Sequence, residues 1–497
     1  MSKPSSQHIR ALATEIVRRL HAAGFSAFWV GGCVRDYLLE REPQDYDIAS
    51  DARPEDVERI FKRTIPVGRK FGVMIVLEGG HEFQIAAFRA EADYRDGRRP
   101  EKIQFADARA DAERRDFTIN GLFYDPDAQK LHDWVGGEAD LRARIIRTIG
   151  SPEERFAEDH LRMLRAVRLA AQLGFDIEPA TFKAIQTHAA KIKVISAERI
   201  REELVKLFSP KSLPVADVGK RAASSSNPRP DAVQETVASR GLILLRDSGL
   251  MQHVLPDLVP TTTCDQSPDY HPEGNVFTHL VLMLKHLPPD AHPLLPWAVL
   301  MHDIAKPVTQ SHDPQTGSMH FYGHEKVGAE MTEDIMGRLR FPRKQISEVA
   351  EVVRHHMQFK DALKMRKATL RRILMRETFP LELQLQRLDY LGSNGRMDVY
   401  DFLVQQAAEL SKQPEIHPPL LAGASAPGTA RTSRLPTTVS ISAGSMMRCS
   451  MLAGLTSGPM WPLTVTVVPF WTASNACTSW TVVAPTATPL KLIDTTS

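Results

Sequence analysis

The chain has 497 residues, of which 42% are hydrophobic and 25% charged, and a formal net charge of +2. That length exceeds a single hydrophobic core, so roughly two to four domains of a soluble globular protein are expected. The near-neutral balance excludes a globally basic surface, and four scattered cysteines exclude a disulfide framework and suit a reducing cytoplasm. The N-terminus lacks an apolar signal core, and no apolar run reaches the ~18 residues of a membrane span.

Apolar Ile9, Leu12, Ile16 and Leu20 recur at helical spacing and predict an amphipathic helix over residues 8–23. Short strands are expected at Ala27 to Val30, Tyr46 to Ala49, Gly72 to Leu77 and Phe83 to Phe88, with helices at about 34–40 and 54–62. Within this mixed region lies Gly31-Gly32-Cys33-Val34-Arg35-Asp36, followed by Asp45-Tyr46-Asp47. Side chains at i and i+2 of a strand share a face, so the two carboxylates would stand about 7 Å apart and repel. A divalent cation that prefers oxygen ligands, such as Mg²⁺, resolves that repulsion. Diglycine permits close approach of a ligand to the backbone, and Arg35 offers a planar fork for phosphate. The pattern points to a nucleoside triphosphate and its metals held for transfer. Residues 89–115 are charged and poor in apolar side chains, which predicts a mobile, partly basic loop.

From 151 to 207 the pattern is helical. Ser151-Pro152-Glu153-Glu154 is a helix start, with Ser at the cap and Pro at the first position. Asp159, Arg162, Arg165 and Arg168 follow at three-residue spacing and would form one polar stripe on a helix. A carboxylate and an arginine side by side can accept from the amine and donate to the ring acceptor that cytosine and adenine share, while uracil and guanine mismatch. Residues 210–232 are expected to be a disordered insertion, with helix resuming over 233–411. Between Ile416 and Ile493 there is no Asp or Glu, and neither helical nor strand periodicity. The segment 412–497 is therefore expected to be a low-complexity tail or the product of a reading-frame shift near Leu420.

These motifs, in this order, resemble the class II tRNA nucleotidyltransferase and poly(A) polymerase family, the bacterial CCA-adding enzymes. The resemblance runs from about residue 10 to 207. It also includes Phe88-Arg89, Tyr94-x-Asp96-x-Arg98-Arg99-Pro100, Arg114-Arg115-Asp116-Phe117-Thr118-x-Asn120 and Ser196-Ala197-Glu198-Arg199. It implies an α+β architecture: a small mixed-sheet head (1–150), a helical nucleotide-recognition neck (151–209) and a helical body. It further implies that Asp45 and Asp47 bind Mg²⁺, and that Gly32, Arg35 and Arg115 hold the phosphates and sugar. Asp159 and Arg162 would read the base, supported by Arg165 and Arg168. The expected partners are tRNA, CTP and ATP, without a nucleic-acid template or a membrane. A poly(A) polymerase, or an enzyme adding only part of CCA, shares the same chemistry. Relatives often carry glutamate in the strand before Phe-Arg where this chain has Gln84.

Ten of the 18 histidines fall between His271 and His356. Their order resembles an HD-type phosphohydrolase domain, which implies His279, His302, Asp303 and Asp389 around one transition metal, with His324 and His355 for a second. The adjacent His355 and His356 cannot both face one metal from a helix.

Overall fold

The computed structural model describes residues 6–43, 45–90, 104–211, 235–268, 271–315, 318–393 and 397–412, together with two short strands near the C-terminus. Residues 6–412 belong to one compact unit, and Pro418–Ser497 form a second. Of the second unit only the antiparallel pairing of Thr481–Val482 with Leu490–Lys491 is described. The predicted insertion and nearly all of the predicted tail thus lie outside the described residues.

The head opens with helix Ser6–Ala22, which buries Ala13, Ile16, Val17 and Leu20 completely. These residues pack on a seven-stranded sheet of order β3-β4-β5-β2-β1-β8-β9. Its strands are β1 (Ala27–Val30), β2 (Asp47–Ser50), β3 (Thr64–Gly68), β4 (Val73–Glu78), β5 (His81–Ala87), β8 (Phe123–Asp125) and β9 (Lys130–His132). The numbering leaves β6 (Arg89–Ala90) and β7 (Gln104–Phe105), which pair with each other away from that sheet. Within the seven-stranded sheet, among the described residues, the β2–β5 pairing is parallel and the others are antiparallel. Strand alternation divides the sheet. Trp29, Ile48, Val76 and Ile85 join the main core, while Val30, Ala49, Phe88 and Phe123 form a small cluster with Ala112.

Three sequence expectations need correction. The strand β2 begins at Asp47 rather than Tyr46 and leaves Asp45 ahead of it. The segment 89–115 is ordered at both ends, as the β6–β7 pair and as helix Ala108–Glu113, which Asp107 caps through the Ala110 N–H; its middle, 91–103, lies outside the described residues. Strands β3, β8 and β9 were not expected; each is short, three to five residues.

The neck starts as predicted, with Ser151 Oγ accepting from Glu154 N and Pro152 opening helix Pro152–Glu158. Helix Leu161–Leu173 then follows, and Asp159 sits between the two with φ −148° and ψ 104°. Asp159 is therefore not on one helical stripe with Arg162. It occupies an extended break, where its Oδ1 accepts from the Leu161 N–H at 3.0 Å. Helices from Val237 to Ser411 complete the unit. Phe208 meets Trp297 edge-on at 5.6 Å, and Arg240 donates to the Phe175 carbonyl at 2.8 Å, so neck and body share one core.

Gly137 opens helix Gly137–Ala143, and a Cβ there would stand 2.2 Å from the Thr118 carbonyl oxygen. Gly137→Ala must push two main chains apart. We expect a loss of roughly 1–3 kcal/mol in urea unfolding; an unchanged midpoint would mean that helix and turn do not meet this closely.

Candidate functional site

Asp45 and Asp47 are both exposed at the start of β2, while Tyr46 between them is buried against Trp29, with ring centroids 4.8 Å apart. Burying every second side chain is what turns both carboxylates outward. Neither has a cationic partner among the described residues. Crowding by surrounding protein raises the Asp47 carboxyl above its usual value, the Asp45 charge adds to this, and Arg115 opposes it. A carboxyl held above its usual value beside a second carboxylate, with no cationic partner among the described residues, fits a divalent metal. Parallel register pairs Ile48 with Ile85, so Gln84 lies beside Asp47 on the neighbouring strand. A neutral amide stands there in place of a third acid.

The diglycine brings two arginines together. Gly31 has φ 73°, and a Cβ there would lie 3.2 Å from Arg115 Nη1; a Cβ on Gly32 would lie 3.5 Å from Arg35 Nη2. Arg35 binds Asp36 at 2.8 Å and donates to Asn120 Oδ1 at 2.9 Å. Arg115 donates to the buried Asp111 at 3.0 Å and lies over the Phe123 ring at 5.0 Å. Its Nε is buried without a hydrogen-bond partner.

At the junction of head and neck, Asp159 Oδ2 accepts from Arg199 at 2.6 Å. Arg162 binds Glu158 and donates to the Arg155 carbonyl at 3.1 Å. Arg165 forms two bonds to Asp116 Oδ2, at 2.6 and 2.9 Å. Arg168 binds Glu203 and donates to Gln172 Oε1 at 2.8 Å. Arg165 and Arg168 thus reach carboxylates of the protein itself. Burial alone would raise the Asp116 carboxyl, but Arg165 and the Asn120 amide bring it down to about 2. Sequence reasoning missed Asp111 and Glu203; both are buried, and a lone acid in a charged helix carries no distinguishing signal.

In the body, buried His279, His302 and Asp303 gather ligand atoms within 4.8 Å of one another, as do Asp303, His324 and His356. Asp303 is common to both groups. Three of the rings donate Nδ1–H to a main-chain carbonyl three residues earlier: His302 to Val299 at 2.8 Å, His324 to Phe321 at 2.7 Å, and His356 to Val353 at 2.6 Å. In the neutral ring Nε2 is then the nitrogen without a proton, and those of His324 and His356 stand 3.1 Å apart. His279 Nε2 and His302 Nε2 come within 3.1 and 3.2 Å of Asp389 and Asp303, yet both are buried with no aligned hydrogen bond. Convergent lone pairs with unsatisfied geometry fit a transition metal held by imidazole and carboxylate. Asp303 is held well below the usual carboxylate range: burial opposes this, and His302 and Lys306 outweigh it.

One predicted ligand is corrected. His356, not His355, faces Asp303 and His324. Helix Arg343–His355 ends at this point and a 3-10 turn begins at His356, which turns the second ring inward. His355 instead lies 3.6 Å from Glu382 and lines a cavity of about 370 Å³ with Glu325, Lys326, Arg354, Met357 and Gln358.

Three family models match in chain order: the poly A polymerase head domain over residues 27–147, the probable RNA and SrmB-binding site of polymerase A over 174–213, and the HD domain over 275–392. A head of the poly A polymerase type and an RNA-binding segment thus precede an HD domain. Over those first two segments the chain is similar to the tRNA nucleotidyltransferase and poly(A) polymerase family. The CCA-adding enzyme of Staphylococcus aureus (strain MRSA252) is 46% identical over 197 residues, which is 39% of this chain and 49% of the relative. The chain therefore spans about half the length of the curated relatives it matches. The crystal structure of the Bacillus stearothermophilus CCA-adding enzyme in complex with CTP aligns at a TM-score of 0.59 and 26% identity, covering 81% of this chain and 83% of that one. A tRNA nucleotidyltransferase complexed with a primer tRNA and an incoming ATP analog shares the fold at a TM-score of 0.53 and 18% identity, over 80% and 98% of the two chains. Among the described residues, no helix is long and apolar enough to cross a membrane.

Replacing Arg165 with Met leaves Asp116 buried without its cation. We expect a loss of about 2 kcal/mol near neutral pH. Because folding depresses this carboxyl, its contribution is fully present above the unfolded carboxylate pKa and is lost as pH falls towards about 2. The difference between wild type and variant should therefore shrink across that acid window; a difference independent of pH would assign the loss to packing.

Proposed function

We propose that this chain adds CCA to tRNA 3′ ends from CTP and ATP without a nucleic-acid template. The observation that carries the reading is the convergence of Arg35 and Arg115 over the diglycine, on the same head that presents Asp45 and Asp47. The likeness to a CCA-adding enzyme solved with CTP supports it.

In this reading Asp45 and Asp47 hold Mg²⁺. When bound, the metal supplies positive charge at the attacking hydroxyl and at the triphosphate. The RNA 3′-oxygen forms a bond to the α-phosphorus as the bond to diphosphate breaks. Arg35 and Arg115 hold the triphosphate, and the glycines leave room for it beside the main chain. Asp159 and Arg162 present an acceptor and donors to the base edge, and Arg199 fixes the Asp159 carboxylate. Arg165 and Arg168 act through Asp116 and Glu203, as braces that hold the recognition helix against the head.

The test is extension of a tRNA lacking its CCA end, read as product length. Two additions from CTP and a third only with ATP present support the proposal; a ladder of A from ATP alone would shift it to poly(A) synthesis. Asp45→Asn or Asp47→Asn should abolish extension while leaving tRNA retention intact, and measurable turnover in both would overturn the metal role. Asp159→Ala should lose CTP-over-UTP preference by roughly 5- to 150-fold, the range of a well-made base contact, with unchanged preference counting against base reading.

The Asp303-centred cluster favours a second activity in the body, metal-dependent phosphohydrolysis. His302→Ala should remove any Mn²⁺- or Ni²⁺-stimulated release of p-nitrophenol from p-nitrophenyl phosphate and spare nucleotide addition. Release that survives the substitution would place that chemistry elsewhere.

A further inference from the structure

Of the four histidines in the body cluster, three are oriented by the main-chain carbonyl three residues earlier. His279 is oriented differently. Its Nδ1 meets Glu273 Oε1 at 2.7 Å, and the same oxygen takes His271 Nδ1 at 2.9 Å. The Glu273 side chain is only 6% exposed, and its second oxygen, Oε2, is buried without a hydrogen-bond partner. A carboxylate accepts and cannot donate, so His279 Nδ1 carries the proton and Nε2 is committed to the cluster. A carboxylate behind a ligating imidazole fixes the ring and makes the opposite nitrogen a stronger donor than a carbonyl does. His271 is part of this arrangement: its ring packs edge-on against His279 at 4.9 Å and secures the shared oxygen.

We propose that Glu273, clamped by His271, is the positioning residue that sets the cation affinity of the body cluster, by holding His279 Nε2 inward. The inference rests on reading the cluster as a cation site. It adds a residue pair from outside the ligand set and assigns His279 the strongest donor nitrogen of the four.

Titration of the full chain with Co²⁺ tests it, because the visible absorption of Co²⁺ reports imidazole ligation directly. An Asp45→Ala/Asp47→Ala background removes competition from the head. Glu273→Gln preserves shape and should raise the Co²⁺ Kd by about 10- to 100-fold. The thermal midpoint of the cation-free variant should stay put while the upward shift on adding Co²⁺ diminishes. His271→Ala leaves Glu273 chemically intact but unclamped and should weaken Co²⁺ in the same direction; it also serves as the test if Glu273→Gln fails to fold. An unchanged Kd in a folded variant overturns the proposal. Loss of one bound ion with the other unaffected also overturns it, because that would place a cation between His271, Glu273 and His279 themselves. If the parent protein shows no imidazole-ligated Co²⁺, the cluster reading falls and the positioning role with it. Failure of Glu273→Gln alone leaves the cluster reading standing.

Discussion

One buried carboxylate, Asp116, ties the head to the neck. Asp116 accepts two bonds from Arg165 of the neck, and its other oxygen accepts from the Asn120 amide at 3.0 Å and from the Phe117 N–H at 2.9 Å. Asn120 in turn accepts from Arg35, which is bound to Asp36. A continuous polar chain therefore runs from the recognition helix, through the turn after Arg115, to the helix that follows the diglycine. On the neck side, Arg165 also lies 3.7 Å from Glu203, which holds Arg168. Arg35 beside the diglycine and the neck arginines Arg165 and Arg168 belong to the same network. The spacing between the diglycine segment and the neck helix is thus set by hydrogen bonds within the protein.

The head and the body reach comparable convergence of charged groups by different backbone devices. In the head, strand alternation buries Tyr46 and exposes its two acidic neighbours, and two small residues let guanidinium groups close in. In the body, His302, His324 and His356 lie at helix starts and ends, where the carbonyl three residues back accepts the ring N–H. That geometry selects the tautomer as well as the ring orientation. It also explains why a single residue step separates the inward His356 from His355.

The head motifs were legible because their chemistry depends on local spacing: Asp45 and Asp47, Gly31 and Gly32, and the cap at Ser151 each act through neighbours in sequence. The partners of the neck arginines were not legible. Asp116 and Glu203 are 49 and 35 residues away from the arginines they hold, and nothing in a linear charge pattern distinguishes a buried brace from a solvated face. Asp159 was misplaced for a related reason. A helical stripe can be written through a two-residue break without leaving a trace in the spacing, and only the extended backbone at 159 reveals it. Choosing between His355 and His356 required knowing where the helix ends, and boundaries are the feature periodicity fixes least well.

The hydrophobic interior also has a thermodynamic consequence. One cluster of buried side chains extends from Ala13 in the first helix to Leu388 in the body, while Phe359, Leu370, Phe379 and Leu403 form a separate satellite. Leu207 of the neck presses on the body at Gly241, where a Cβ would be 2.5 Å from Leu207 Cδ1. Head, neck and body are therefore distinct in chemistry but not in folding. Heat should melt them in one calorimetric transition, and a head grafted from a relative would bring its own half of a shared interior that the recipient neck was not shaped to fill. The unit that evolution can shuffle here is the contiguous core, not the segment that carries each motif.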